Sequence, residues 1–196
     1  ICWAGDGGTY DIGLATLSAA AERGEDVLYI CYDNEIYGNT GGQRSSATPP
    51  GAVTTTTPGG KTGAKKDIMR IMAAHRIPYA ATLSLAHMDD AVRKMRHAIG
   101  LEGFRFLHVL SPCPTGWKSE PAVGLELVRL AVGSGLYAVH EIFDGAKVRI
   151  NVEPEGPDDA LERYFCLQGR FRNAGADLAT IREAIARSWE ELRALA

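Results

Sequence analysis

The chain has 196 residues, of which 45% are hydrophobic and 23% charged, and its formal net charge at pH 7 is −3. That length suits one compact α/β core with a terminal arm. The slightly acidic balance excludes the basic footprint of a nucleic-acid binder, and no apolar run is long enough to cross a bilayer, so neither nucleic acid nor membrane is an expected partner.

In chain order, Ile1-Cys2-Trp3-Ala4 reads as the tail of a buried strand. Neither a starting Met nor a basic or signal-like leader precedes it, so a C-terminal portion of a longer or processed polypeptide is expected. Gly5-Asp6-Gly7-Gly8 turns the chain into a helix over residues 9–23 that Gly24 ends. Residues 27–32, apolar and rich in β-branched and aromatic side chains, predict a buried parallel strand. A loop over residues 33–64 follows, rich in Gly, Pro, Ser and Thr; loops this long in a compact domain are functional or disordered, and its place between two well-formed units favours function. Next come a helix (65–75), a strand (79–83), a helix (88–99) and a strand (104–110). An irregular stretch (111–120) precedes a helix near 123–132. Strands over 138–143 and 147–152 are joined by a hairpin turn at Asp144-Gly145. The chain closes with an amphipathic helix over 178–195. Repeated βα units predict a three-layer αβα architecture with a mainly parallel sheet, whose ligands bind beyond the carboxyl ends of the strands. Residues 1–153 are read as the core and 154–196 as a C-terminal arm and helix.

Cys2, Cys31, Cys113 and Cys166 lie far apart without a CxxC pair. They are expected to be buried free thiols in a cytoplasmic protein. The five histidines lack metal-ligand spacing: His75 and His97 are read as surface helix residues, and the strand histidines, His108 and His140, as packing. Arg93, Lys94 and Arg96 read as a solvated helix face. Arg44, in the long loop, is a candidate partner for a carboxylate or phosphate.

The Gly5–Gly8 turn carries the chemistry. Glycines let a ligand approach the backbone closely, and a helix start offers N–H groups to an anion. A bare carboxylate at Asp6 would repel phosphate, but a divalent cation between them resolves the conflict. Magnesium wants six oxygens and takes few from protein. A second ligand is expected from the neighbouring strand end, Asp33-Asn34-Glu35-Ile36-Tyr37, where Asn34 offers a neutral amide oxygen and a loop carbonyl completes the set. Taken alone, Asp6 also reads as a helix cap and Asn39 as a left-handed turn residue. A plain nucleotide-binding module is disfavoured, because neither a Walker lysine nor a GxGxxG turn is present.

Gly5-Asp6-Gly7, followed one helix and one strand later by Asn34, is similar to the thiamine-diphosphate motif. The surrounding runs are more specific: Gly5-Asp6-Gly7-Gly8-Thr9 with Asp11-Ile12-Gly13, Tyr32-Asp33-Asn34-Glu35, and Asn39-Thr40-Gly41-Gly42-Gln43-Arg44-Ser45-Ser46-Ala47-Thr48-Pro49. With His108-Val109-Leu110-Ser111-Pro112-Cys113-Pro114-Thr115-Gly116-Trp117 and Leu167-Gln168-Gly169-Arg170-Phe171, the chain resembles, over nearly its whole length, the beta subunits of the pyruvate:ferredoxin oxidoreductase (pyruvate synthase) family.

That resemblance implies a thiamine-diphosphate-binding fold and a role for each matched position. Asp6 and Asn34 would give side-chain oxygens to Mg²⁺, and Ile36 its main-chain carbonyl. Gly5, Gly7, Gly8 and Thr9 would face the diphosphate. Asn39 would point to the thiazolium and the bound 2-oxoacid as the catalytic side chain, with Thr40, Gly41 and Gln43 shaping the pocket. Cys113 would be the last of four cysteines on a [4Fe–4S] cluster; the other three lie in an N-terminal stretch of the family that this sequence does not contain, so the ligand set here is incomplete. The implied reaction is oxidative decarboxylation of pyruvate, with coenzyme A taking the acyl group and ferredoxin the electrons. Partner subunits of alpha, gamma and delta type are implied, one of them supplying the carboxylate that activates the aminopyrimidine. Gly42, where multi-subunit relatives carry Ile, leaves room for another 2-oxoacid: oxalate, 2-oxoglutarate or a branched-chain acid. A non-catalytic assembly fragment is the remaining alternative.

Overall fold

A computed structural model describes residues 1–172 and 178–196. Six strands form one sheet: β1 (Cys2–Gly5), β2 (Leu28–Asp33), β3 (Tyr79–Leu83), β4 (Arg105–Leu110), β5 (Val139–Phe143) and β6 (Lys147–Val152). Their spatial order is β1-β2-β4-β3-β5-β6. The first four are parallel, and β5 and β6 extend the sheet as an antiparallel hairpin. Asp144 and Gly145 turn that hairpin with φ of 51° and 67°, the twin left-handed conformation of a tight two-residue turn.

The topology decides which face each helix covers. From β1 to β2 and on to β3 the chain advances across the sheet; from β3 to β4 it steps back. Right-handed crossovers therefore place α3 (Met88–Ile99) on the face opposite α1 (Leu14–Glu22) and α2 (Ile68–Ala74). The side chains of β2 divide accordingly. Tyr29 and Cys31 pack with Leu17, Ala21 and Met72, whereas Leu28 and Ile30 pack with Ala91 and Ala98. A third cluster joins Leu110 and Val139 to α5 (Gly124–Gly133) and α6 (Ala160–Cys166). The long C-terminal helix α7 (Leu178–Ala194) docks beside them through buried Trp189, whose indole donates to the Gly135 carbonyl at 2.8 Å. Its amphipathic pattern is the one the sequence predicts.

Several expectations change. The first helix opens two residues early, at Gly7, as a π-helical turn over Gly7–Ile12 before α1 begins. α2 starts at Ile68 rather than 65, because the Asp67 carboxylate caps it by accepting from the Arg70 N–H at 3.0 Å. α6, in the arm, lacks a predicted counterpart. β1 is an edge strand with Trp3 63% exposed, not a buried one. Cys2 and Cys166 are exposed free thiols, Cys113 is half-buried, and only Cys31 fits the buried expectation. Lys94 is fully buried rather than solvated, its ammonium held by Asp90 at 2.6 Å and the Thr82 carbonyl at 2.9 Å. Arg93 is exposed as expected but also pairs with the buried Glu141 at 3.0 Å, since a carboxylate inside a sheet needs a countercharge. Arg96 stays exposed as expected. His75 is half-buried, and His97, though exposed, lies against Tyr79.

Candidate functional site

The parallel register sets the site. Gly5 of β1 lies opposite Tyr32 of β2, so Asp6 and the run Asp33-Asn34-Glu35-Ile36 leave neighbouring strand ends side by side. Gly7 admits no side chain, because a Cβ there would lie 2.3 Å from the Tyr37 ring. That ring closes over the turn, its hydroxyl donating to the Gly7 carbonyl and to Asp11 Oδ2, each at 3.1 Å. Gly8 is exposed, and Thr9 is buried with its hydroxyl donating to the Gly5 carbonyl at 2.8 Å.

Asp6 is 1% exposed, and its carboxylate accepts from the Ser45 hydroxyl. Burial, followed by the charge of Asp33, pushes its pKa up to about 7. This is a buried acid short of positive charge, and a bound cation would supply it. Asp33, one strand over, is the reverse case. It is fully buried, yet Lys65 Nζ at 2.7 Å and His108 Nε2 at 2.9 Å outweigh the cost of burial and hold its carboxyl well below the usual range. Tyr10 adds a hydroxyl at 3.2 Å. His108 thus belongs to a polar network and not to apolar packing, which corrects the expectation for that strand histidine.

The three residues after Asp33 have their polar groups nearly all committed. The Glu35 N–H donates to Asp33 Oδ1 at 2.9 Å, and the Ile36 N–H to Asn34 Oδ1 at 3.2 Å. The Trp117 indole donates to the Asn34 carbonyl at 2.8 Å, and Thr48 to the Glu35 carbonyl at 2.6 Å. Among the described residues, the Ile36 carbonyl accepts no hydrogen bond. A carboxylate lacking a countercharge, an amide oxygen and an unclaimed carbonyl form an all-oxygen set, the kind that hard dications such as Mg²⁺ select, so these residues fit that ion. No three His, Cys, Asp or Glu side chains gather as a metal-binding group among the described residues.

Cys113 caps the short helix α4 (Pro114–Trp117), its sulfur accepting from the Gly116 N–H at 3.3 Å. That turn abuts the loop: a Cβ on Gly116 would meet Ile36 Cγ2 at 2.8 Å. Cys113 and the Asn34–Ile36 segment are therefore neighbours. Asn39, Thr40 and Gly41 stand apart, exposed at the tip of a loop whose base pairs Tyr37 with Gln43. Thr40 and Gln43 bond one another at 2.6 and 2.7 Å. Gly42 has φ of 78°, so glycine at this position answers a backbone need. Arg44 is exposed, its main-chain N–H on Thr56 at 3.0 Å.

Sequence reasoning passed over the residues that support this loop. Half-buried Lys65 and buried Glu35 and Arg170 form one chain of ion pairs, and Ser45, Ser46 and Tyr37 brace the glycine turn. The available signal was the density of charge in Asp33-Asn34-Glu35 and Lys65-Lys66-Asp67 amid otherwise neutral loops.

Comparisons with known proteins agree with this geometry. Residues 1–109 match the family described as "Thiamine pyrophosphate enzyme, C-terminal TPP binding domain". The chain is 45% identical to ketoisovalerate oxidoreductase subunit VorB of Pyrococcus furiosus, over 99% of its own length and 64% of that protein's. It is also 45% identical to pyruvate synthase subunit PorB of Methanothermobacter marburgensis, over 98% of its own length and 68% of that subunit's. A 2-oxoglutarate:ferredoxin oxidoreductase from Magnetococcus marinus, solved with 2-oxoglutarate, coenzyme A and succinyl-CoA bound, shares the fold with a TM-score of 0.58 and 20% identity, covering 94% of this chain and 67% of that one. The chain thus belongs to the thiamine-pyrophosphate-enzyme family, among the beta subunits of the 2-oxoacid:ferredoxin oxidoreductases. It spans 64% of the length of the VorB relatives.

Proposed function

We propose that this chain holds Mg²⁺ and thiamine diphosphate in a 2-oxoacid:ferredoxin oxidoreductase that converts pyruvate and coenzyme A to acetyl-CoA and carbon dioxide, passing electrons to ferredoxin. The single observation that carries this reading is the meeting of buried Asp6 with the Asn34–Ile36 segment at adjacent parallel strand ends. Asp6, the Asn34 amide oxygen and the Ile36 carbonyl hold the ion. In the Gly5–Gly8 turn Tyr37 fills the side of Gly7, while the open side of Gly8, where a Cβ would meet nothing within 4 Å, gives the diphosphate access to the backbone, and Thr9 fixes the strand end beneath it. The bound cofactor supplies a carbon nucleophile and an electron sink for decarboxylation. Asn39, with Thr40 and Gly41, presents the exposed loop tip to the 2-oxoacid and to the neighbouring subunit that completes the pocket. Cys113 gives one thiolate to a [4Fe–4S] cluster whose other ligands come from outside these residues. Partner subunits of alpha, gamma and delta type complete the enzyme. It works in the cytoplasm, where a reducing environment suits the exposed free thiols of Cys2 and Cys166. No helix among the described residues is long and apolar enough to cross a membrane.

Calorimetry of thiamine diphosphate binding in Mg²⁺ tests the site. Asp6→Ala and Asn34→Ala are each expected to weaken binding by about a hundredfold, on the scale of losing a charge-assisted ligand. Unchanged affinity in both variants would overturn the assignment. A second substrate reading, a branched-chain 2-oxoacid, is favoured by the equal identity to the ketoisovalerate and pyruvate relatives. Steady-state kcat/KM of the assembled enzyme on pyruvate and on ketoisovalerate separates the two.

A further inference from the structure

The residues flanking Asn34 are both acidic, and the carboxylates of both are taken by cationic side chains. Lys65 Nζ bridges them, 2.7 Å from Asp33 Oδ2 and 2.9 Å from Glu35 Oε1. The second oxygen of Glu35 takes Arg170 Nη2 at 2.6 Å. Arg170 is 2% exposed and held on three sides: its Nε donates to Gln168 at 2.9 Å, and its guanidinium lies over Trp117 at 4.4 Å and Phe171 at 4.9 Å. Trp117 in turn donates to the Asn34 carbonyl. A closed circuit results, running from Asn34 through Trp117, Arg170, Glu35 and Lys65 to Asp33 and back along the main chain.

Glu35 sits at the centre of it with φ of 65°, a left-handed conformation that a non-glycine residue keeps only where its surroundings hold it there. Gly would relieve that conformation without cost, but Gly could not join Lys65 to Arg170. The side chain therefore has a use that offsets the backbone strain. Holding residue 35 fixes the angle between its two neighbours, the amide of Asn34 and the carbonyl of Ile36. Mg²⁺ demands near-ideal octahedral geometry at short distance, whereas Ca²⁺ accepts longer bonds and irregular shells. A stiff pair of ligands discriminates between them; a loose pair does not.

We infer that Glu35, clamped between Lys65 and Arg170, is a positioning residue that makes the Asn34–Ile36 ligand pair rigid and so selects Mg²⁺ over Ca²⁺. The inference rests on the proposed metal site and adds to it a role for residues that touch neither ion nor cofactor. Groups that orient metal ligands commonly change affinity by about 10- to 100-fold when replaced.

The test uses the assembled enzyme, stripped of ions and cofactor with chelator. Thiamine diphosphate affinity is measured by calorimetry with Mg²⁺, Mn²⁺ or Ca²⁺ as the sole dication, for wild type, Glu35→Gln and Arg170→Lys. Glu35→Gln keeps shape and removes the charge; Arg170→Lys keeps charge and removes the fork and the stacking, and serves if the first variant does not fold. The expected result is a Mg²⁺-supported affinity lowered about tenfold or more, with the Ca²⁺-supported affinity changed by less than about threefold. Equal losses with both ions, or a Mg²⁺-to-Ca²⁺ ratio as in wild type, overturn the inference and leave the site standing. If Asp6→Ala binds as wild type in the same assay, the site itself fails, and the two failures are thus distinct.

Discussion

Two stretches of the same long connection differ in how they are built. Asp33, Glu35 and Ile36 are buried and Asn34 half-buried; two cations, Lys65 and Arg170, make three ion pairs with the stretch, and almost every polar group in it is paired. Residues 38–42, a few positions on, are mostly exposed and contain two consecutive glycines with φ of 114° and 78°. On the proposed function the first stretch holds a hard ion, which needs fixed ligands. The second would meet a substrate and a neighbouring subunit, and its shape is set by turn chemistry rather than by burial. That proposal would put precision at the ion and adaptability at the substrate side, as expected when positioning of a cofactor is the protein's main contribution.

Damage should therefore be severe in the first region and slight in the second. The largest stability effect is expected from Gly7→Ala, which forces a methyl group to within 2.3 Å of the Tyr37 ring. A loss of about 1–3 kcal/mol in denaturant unfolding, with cofactor binding weakened alongside, checks it. Trp117→Phe keeps the ring over Arg170 but removes the donor to the Asn34 carbonyl. A loss of about 1–2 kcal/mol is expected, and no loss would detach Trp117 from the pinned region. Thr40→Ala, at the exposed tip, should move stability by less than about 0.5 kcal/mol and register only in KM for the 2-oxoacid. A larger melting shift would erase the contrast.

Acid provides a fourth way to sharpen it, using two buried histidines. His108 has Asp33 as a carboxylate neighbour; among the described residues the His140 ring is hydrogen-bonded only to Thr82 and the Ala138 carbonyl, and burial lowers its pKa to about 4. An unfolded histidine protonates near its ordinary value of 6.5, so between pH 6.5 and 4 the unfolded chain binds more protons at this position than the folded one. Its contribution is present in full above pH 6.5 and is lost as pH falls toward 4, by up to about 3 kcal/mol. Chemical denaturation across that window should show the decline, and His140→Gln should flatten it.

Much of the architecture was legible in the amino-acid order. All six strands and the helices α3, α5 and α7 follow from periodicity, because patterns of two and 3.6 residues report which side chains share a face. The Gly-Asp-Gly turn and Asn34 fall at adjacent strand ends as read, because strand-end position is itself a local property. Lys94 reads as solvent-facing because a charge on a helix usually is; only the tertiary packing brings the Thr82 carbonyl over it and buries it beside Asp90.

Local order in this chain was enough to name the strands and the glycine turn, and to put Asp6 and Asn34 at neighbouring strand ends. It was not enough to show that Lys65 joins Asp33 to Glu35, or that Arg170, 135 positions beyond Glu35, completes the circuit. The identity of a buried charge's partner depends on which segments the crossovers bring together. That is decided by strand order and helix placement, which no run of neighbouring residues encodes.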